Sequence, residues 1–155
     1  MGIFNSINIA STGLTANRVR LDVISDNMAN INTTRTTEGG PFKRSRVIMR
    51  PRTEGPYWRS PFLPQIMDNG IGQGVRVLEI QKDNKTEPHH FRWDPTHPDA
   101  IKSGPREGYV ELANVDVVTE MVDMISASRA YEANAAIIEG SKAMFQRALG
   151  ISGRG

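Results

Sequence analysis

The chain has 155 residues, enough for one core or for a small domain with an extended element. It contains no cysteine, which excludes disulfide scaffolds, cysteine-zinc sites and thiol catalysis, and no apolar run approaches the roughly 18 residues a membrane span needs. The net charge is only +2, and its one excess, seven basic against three acidic residues in 1–50, lacks the dense basic face and stacking aromatics of a nucleic-acid binder.

Met1 to Leu14 has neither a basic leader nor a continuous apolar stretch, so no cleavable secretory peptide is expected. Gly2 and Ser6 fit an N-myristoylation pattern. A helix start capped by Asn5 or Ser6 accounts for the same residues, and it agrees with the long apolar spacing of this segment. Steps of four and three from Ile3 reach Ile7, Ala10, Leu14, Asn17, Leu21, Ile24, Met28 and Ile31, all apolar but Asn17. This is a coiled-coil stripe, in which a lone Asn commonly sets register. The segment is also rich in Asn, Ser and Thr, poor helix formers, so it is expected to be helical only when the stripe is buried.

From residue 33 to 112 the chain changes character. All nine prolines and eight of the fourteen glycines lie here, which excludes long helices. Strands are expected at Phe42–Arg50, Val75–Gln81, Phe91–Trp93 and Tyr109–Leu112, with an exposed loop over Pro51–Pro64 that carries Tyr57, Trp58 and Phe62. Gly70-x-Gly72-x-Gly74 has the look of a phosphate cradle, but a strand follows where a helix N-terminus is needed, so a tight turn is the better reading. Glu87, His89, His90, Asp94 and His97 crowd together without a helix or hairpin to converge them. Neighbouring histidines on an extended chain point to opposite faces, so no metal is expected.

The carboxyl end repeats the helical spacing through Val117, Met121, Met124, Ser128, Tyr131, Ala135, Ile138, Lys142, Phe145 and Leu149. Ile125 and other apolar neighbours widen that face beyond a two-stranded seam. A start capped by Asn114 or Asp116 and a stop at Gly150 are expected. Glu120, Asp123, Glu132 and Glu139 read as a solvated charged face or salt-bridge partners. No nucleophile elbow, Walker motif or recognisable triad is present, so no catalytic residues, cofactor or small-molecule substrate are expected.

The fold class is therefore α+β. Two long terminal helices, in 1–34 and 114–150, pack as an antiparallel coiled-coil-like pair, and 35–113 forms a small inserted β-rich module. One function such stripes suggest is a free-standing soluble coiled-coil adaptor.

Ala10-Ser-Thr-Gly-Leu-Thr-Ala16 and Asp26-Asn-Met-Ala-Asn-Ile-Asn-Thr-Thr34 resemble the amino-terminal signature of bacterial flagellar rod and hook proteins. Asn114-Val-Asp-Val-Val-Thr-Glu-Met-Val122 and Ala127-Ser-Arg-Ala-Tyr-Glu-Ala-Asn134 resemble the carboxyl-terminal one. Gly74-Val-Arg-Val77, Asp94-Pro-Thr-His-Pro-Asp-Ala100 and the short middle are similar to the small proximal-rod branch; Ala113 and Thr96 depart from its usual proline and glycine. The resemblance implies a structural subunit stacking helically around an export channel as part of a drive shaft in the periplasmic space. It also implies export uncleaved through the flagellar type III apparatus. The implied partners are copies of the chain, proximal and distal rod proteins, and the export apparatus. The expected assembly interface is the two stripes together with Gly13, Asn27, Asn30, Ile125 and Asn134, with Gly13 and Ala10 allowing close approach and Asn17, Asn27 and Asn30 bonding across subunits.

Overall fold

A computed structural model describes residues 3–52, 73–84 and 90–152. The order of elements is α1 (Ile3–Ala29), β1 (Ser45–Pro51), β2 (Val75–Lys82), β3 (Phe91–Trp93), β4 (Tyr109–Glu111) and α2 (Val117–Ser152). β1 pairs with β2 and β3 with β4, giving two two-stranded sheets. The helices pack against each other, so the architecture is the α+β arrangement that the two stripes and the proline-rich middle call for. Contacts divide the chain into two compact units.

The first unit comprises Met1–Val19, Ile48–Glu79 and Ser126–Gly155. Here α1 and α2 run antiparallel: Phe4 meets Phe145 edge-on with ring centroids 6.0 Å apart, and Gly13 lies against Asn134. Small residues make this approach possible, since Ala10, Ala16 and Ala127 are buried and a Cβ on Gly13 would stand 2.9 Å from the Asn134 amide. Polar side chains in the seam bond to their own helix. Asn17 donates to the Gly13 carbonyl at 2.9 Å, Asn134 to Ala130 at 2.8 Å and Ser141 to Ile137 at 2.8 Å. Satisfied in this way, they add no unpaired polar group to the interface. Gly74, at φ +89°, brings the start of β2 onto α1, where Val75 donates its N–H to the Thr12 hydroxyl at 3.1 Å. A side chain on Gly74 would collide with Thr12.

The second unit comprises Arg20–Val47 and Ile80–Ile125. Ile24, Val110, Ala113 and Val115 form its apolar core, each no more than 5% exposed. β3 and β4 are antiparallel, with Phe91 opposite Glu111, Arg92 opposite Val110 and Trp93 opposite Tyr109. Asp116 caps α2: its carboxylate accepts the Val118 N–H at 3.2 Å and the Thr119 hydroxyl.

Element boundaries differ from expectation where side chains capture the backbone. β1 starts at Ser45, not Phe42, because the Phe42 N–H goes to the Thr33 carbonyl (3.0 Å) and the Arg44 N–H to the Asn114 side chain (2.7 Å). α2 runs through Gly150 to Ser152, and Gly150 stays in the right-handed helix. Glycine permits a left-handed helix stop without enforcing one.

Candidate assembly interface

The second unit holds a buried polar cluster that ties α1, α2 and the root of β1 together. Glu120, on the first turn of α2, is 0% exposed and is among the largest fully buried side chains of the described residues. Its Oε1 accepts the Arg44 Nε–H at 2.6 Å and its Oε2 accepts the Asn27 amide at 3.1 Å. Asp123, one turn on, accepts Arg20 at 2.8 Å and lies 3.4 Å from Arg44. Two carboxylates thus face two guanidiniums, a neutral set. Neutrality and dense hydrogen bonding are what permit charge at a buried site.

Asn27 and Asn114 complete the cluster by holding backbone. Asn27 acts as a strand partner for Ser45, donating to its carbonyl at 2.9 Å and accepting its N–H at 2.8 Å. Asn114 accepts the Arg44 N–H and donates to the Asp83 carbonyl at 3.3 Å, while Asp83 donates its N–H back to the Arg44 carbonyl at 2.7 Å. Asn27, Asn114 and Glu120 all lie in the rod-type signature segments, Asp26–Thr34 and Asn114–Val122.

Of the two readings of the α2 carboxylates, Glu120 and Asp123 are salt-bridge partners, Glu120 being fully buried, while Glu132 and Glu139 stand exposed. The helix contact uses Glu120 in the second unit and Ala127, Asn134 and Ser141 in the first, all of them buried except the half-buried Asn134. These recur every seven residues, a heptad of small and polar side chains that a search for apolar spacing passes over. Arg20 and Arg44 were likewise visible only as basic residues.

The apolar stripes are distributed differently. On α1, Ala10, Ile24 and Asn27 are buried, while Ile7, Gly13, Leu14, Asn17, Leu21, Met28, Asn30 and Ile31 are half-buried; the last follows the helix, and the Ile3 side chain lies outside the described residues. On α2, Met124, Ser128, Asn134, Ala135 and Ile138 are half-buried. Val117, Met121, Ile125, Tyr131, Phe145 and Leu149 are exposed. In the second unit Val117, Val118, Met121, Val122 and Ile125, each 41–70% exposed, fall within an arc of about 140° at 100° per residue. An unbroken exposed apolar arc of this kind marks an interaction surface.

Other candidates resolve locally. Glu87, His89, Gly70, Gly72, Tyr57, Trp58 and Phe62 lie outside the described residues. His97 accepts the Asp99 N–H at 3.2 Å, and Asp94 takes the Thr96 hydroxyl at 2.8 Å, which holds its carboxyl below the ordinary aspartate range. Among the described residues no three metal-ligating side chains gather. Gly74 makes the turn into β2 rather than a phosphate cradle.

Comparison with known proteins places these features. A family model described as flagella basal body rod protein matches residues 7–35, and one described as flagellar basal body rod FlgEFG protein C-terminal matches 106–151. The flagellar basal-body rod protein FlgC of Borreliella burgdorferi is 61% identical over 151 residues, 97% of this chain and 98% of its own length. Its namesake in Bacillus subtilis is 39% identical over 97% of this chain and 99% of its own length. That of Salmonella typhimurium is 30% identical over 96% and 97%.

Proposed function

The chain belongs to the family of FlgC flagellar basal-body rod proteins, and from this we infer that it is a structural, non-enzymatic subunit of the rod in the flagellar basal body. The relatives lend nothing to the alternative of a free-standing coiled-coil adaptor. Residues 1–34 and 114–150 serve as the assembly domain, and 35–113 as an inserted module. The subunit stacks helically around the export channel with copies of itself and with proximal and distal rod proteins. It is exported uncleaved by the flagellar type III apparatus and takes its place across the periplasmic space as part of the drive shaft.

The observation that carries the assembly reading is the exposed arc Val117, Val118, Met121, Val122 and Ile125. A helix seam built from small and polar residues leaves the larger apolar side chains outside, where a neighbouring subunit buries them. The weak helix propensity of α1 suits a chain that travels unfolded and orders on docking.

The test is Ile125→Asp in a strain lacking the native gene. A charge buried at a subunit contact is strongly unfavourable. The variant is expected to accumulate as folded subunit while cells fail to swim and electron cryotomography shows membrane rings without a rod. A complete rod and normal swimming would reject this surface.

A further inference from the structure

Met121, inside the exposed arc of the second unit, carries chemistry that its aliphatic neighbours lack. The chain has seven methionines and no cysteine, so a thioether is the group that a peroxide meets first. Among the described residues Met28, Met49 and Met124 are half-buried, while Met121 is 51% and Met144 58% exposed. Met121 and Met124 stand within one turn of each other, so α2 carries an open thioether next to a shielded one. Met144 lies outside the arc, in the first unit.

Around Met121 the arc is aliphatic. Val117 lies one turn before it and Ile125 one turn after, with Val118 and Val122 alongside, and none of the four has a side-chain hydrogen-bond donor. Hydrogen peroxide transfers one oxygen to a thioether. Its O–O bond breaks, an S–O bond forms, the sulfur is oxidised by two electrons and the peroxide is reduced to water. The product is a polar, chiral sulfoxide. Open to water, the new oxygen is hydrated at little cost to the subunit's own fold. Pressed against an apolar neighbour it finds no donor within the arc, and an unpaired buried acceptor of that kind weakens association about tenfold or more.

We propose that Met121 is a reversible oxidation site that decides whether the free subunit can assemble. The thioether form is competent and the sulfoxide form is not; enzymatic reduction of the sulfoxide restores competence. The proposal rests on the reading of the arc as a subunit contact, so the sulfur is open before assembly and covered after it.

Three measurements follow the one sulfur through both states. In the purified full-length chain, brief treatment with hydrogen peroxide should place sulfoxide on Met121 and Met144 well before Met124, read by peptide mass spectrometry. In intact basal bodies the same treatment should leave Met121 reduced. The third is a competition in cells lacking methionine sulfoxide reductase, which express the native chain and Met121→Leu together. Leu keeps a similar volume without the sulfur. Under peroxide sufficient to oxidise most of the free pool, the ratio of Met121→Leu to native chain in isolated basal bodies should rise about tenfold or more over its value without peroxide. Damage to other proteins acts on both chains alike and leaves that ratio unchanged. A ratio indifferent to peroxide would overturn the proposal, as would a Met121 that oxidises no faster than Met124. Ready oxidation of Met121 within intact basal bodies would instead reject the arc as a subunit contact, and the proposal with it.

Discussion

Glu120 shows what one residue can decide. It is a buried carboxylate with Arg44 on one oxygen and Asn27 on the other, so truncating it strands a guanidinium that is itself only 20% exposed. Glu120→Ala is expected to lose about 3–5 kcal/mol in urea unfolding, the usual range for removing one partner of a buried pair. Asp116 acts on a smaller scale. The Thr119 hydroxyl, and then the Val118 N–H, hold its carboxyl below the ordinary value of 3.8. A depressed carboxyl contributes stability that is full above its unfolded pKa and lost as pH falls through the folded one. The α2 start should therefore loosen as pH falls below 3.8, seen as movement of the Val118 amide resonance, and Asp116→Asn should remove that pH dependence. A resonance that moves equally in the variant would refute the cap as its cause.

Among the elements, the contact between α1 and α2 depends on close approach. Replacing a helical Gly by Ala ordinarily stabilises by about 1 kcal/mol. At Gly13 the new methyl would stand 2.9 Å from the Asn134 amide, so Gly13→Ala is expected to be neutral or destabilising. Asn134→Ala should restore the ordinary gain, and a double-mutant cycle on unfolding free energy measures the coupling. Purely additive effects would mean the two side chains do not interfere. Here the limits of the sequence become visible. Spacing alone located both helices and the four strands of the described residues, because apolar period and proline punctuation report directly on them. It put the larger apolar residues of α2 on a face wider than a two-stranded seam without separating those that meet α1 from those left exposed, because periodicity tells which residues share a face and not what that face meets. Glu120 and Arg44 lie far apart in the chain, and only the fold brings them together; the recurrence of Glu120, Ala127, Asn134 and Ser141 every seven residues was the one available hint.

For the whole molecule the division is between polar residues that fix the subunit's own fold and large apolar residues left exposed, which the proposed assembly would bury. Met121 is 51% exposed, so Met121→Asp should leave the isolated chain within about 0.5 kcal/mol of its original stability while abolishing rod assembly. A large loss of monomer stability would show instead that the residue belongs to the subunit's own core. The family signatures at the two ends of the sequence converge on Asn27, Asn114 and Glu120, which explains why resemblance identified the family while composition could not.

The bonds that root β1 have a mechanical side. Ser45 to Asn27, Arg44 to Asn114, Asp83 to Arg44, and the Arg44 guanidinium to Glu120 all meet at one short stretch of backbone. A torsional load reaching the sheet at that root strains them in parallel, as shear across a joint, where bonds met one at a time would peel. In the proposed drive shaft, the root of β1 would then turn with the helix ends that hold it.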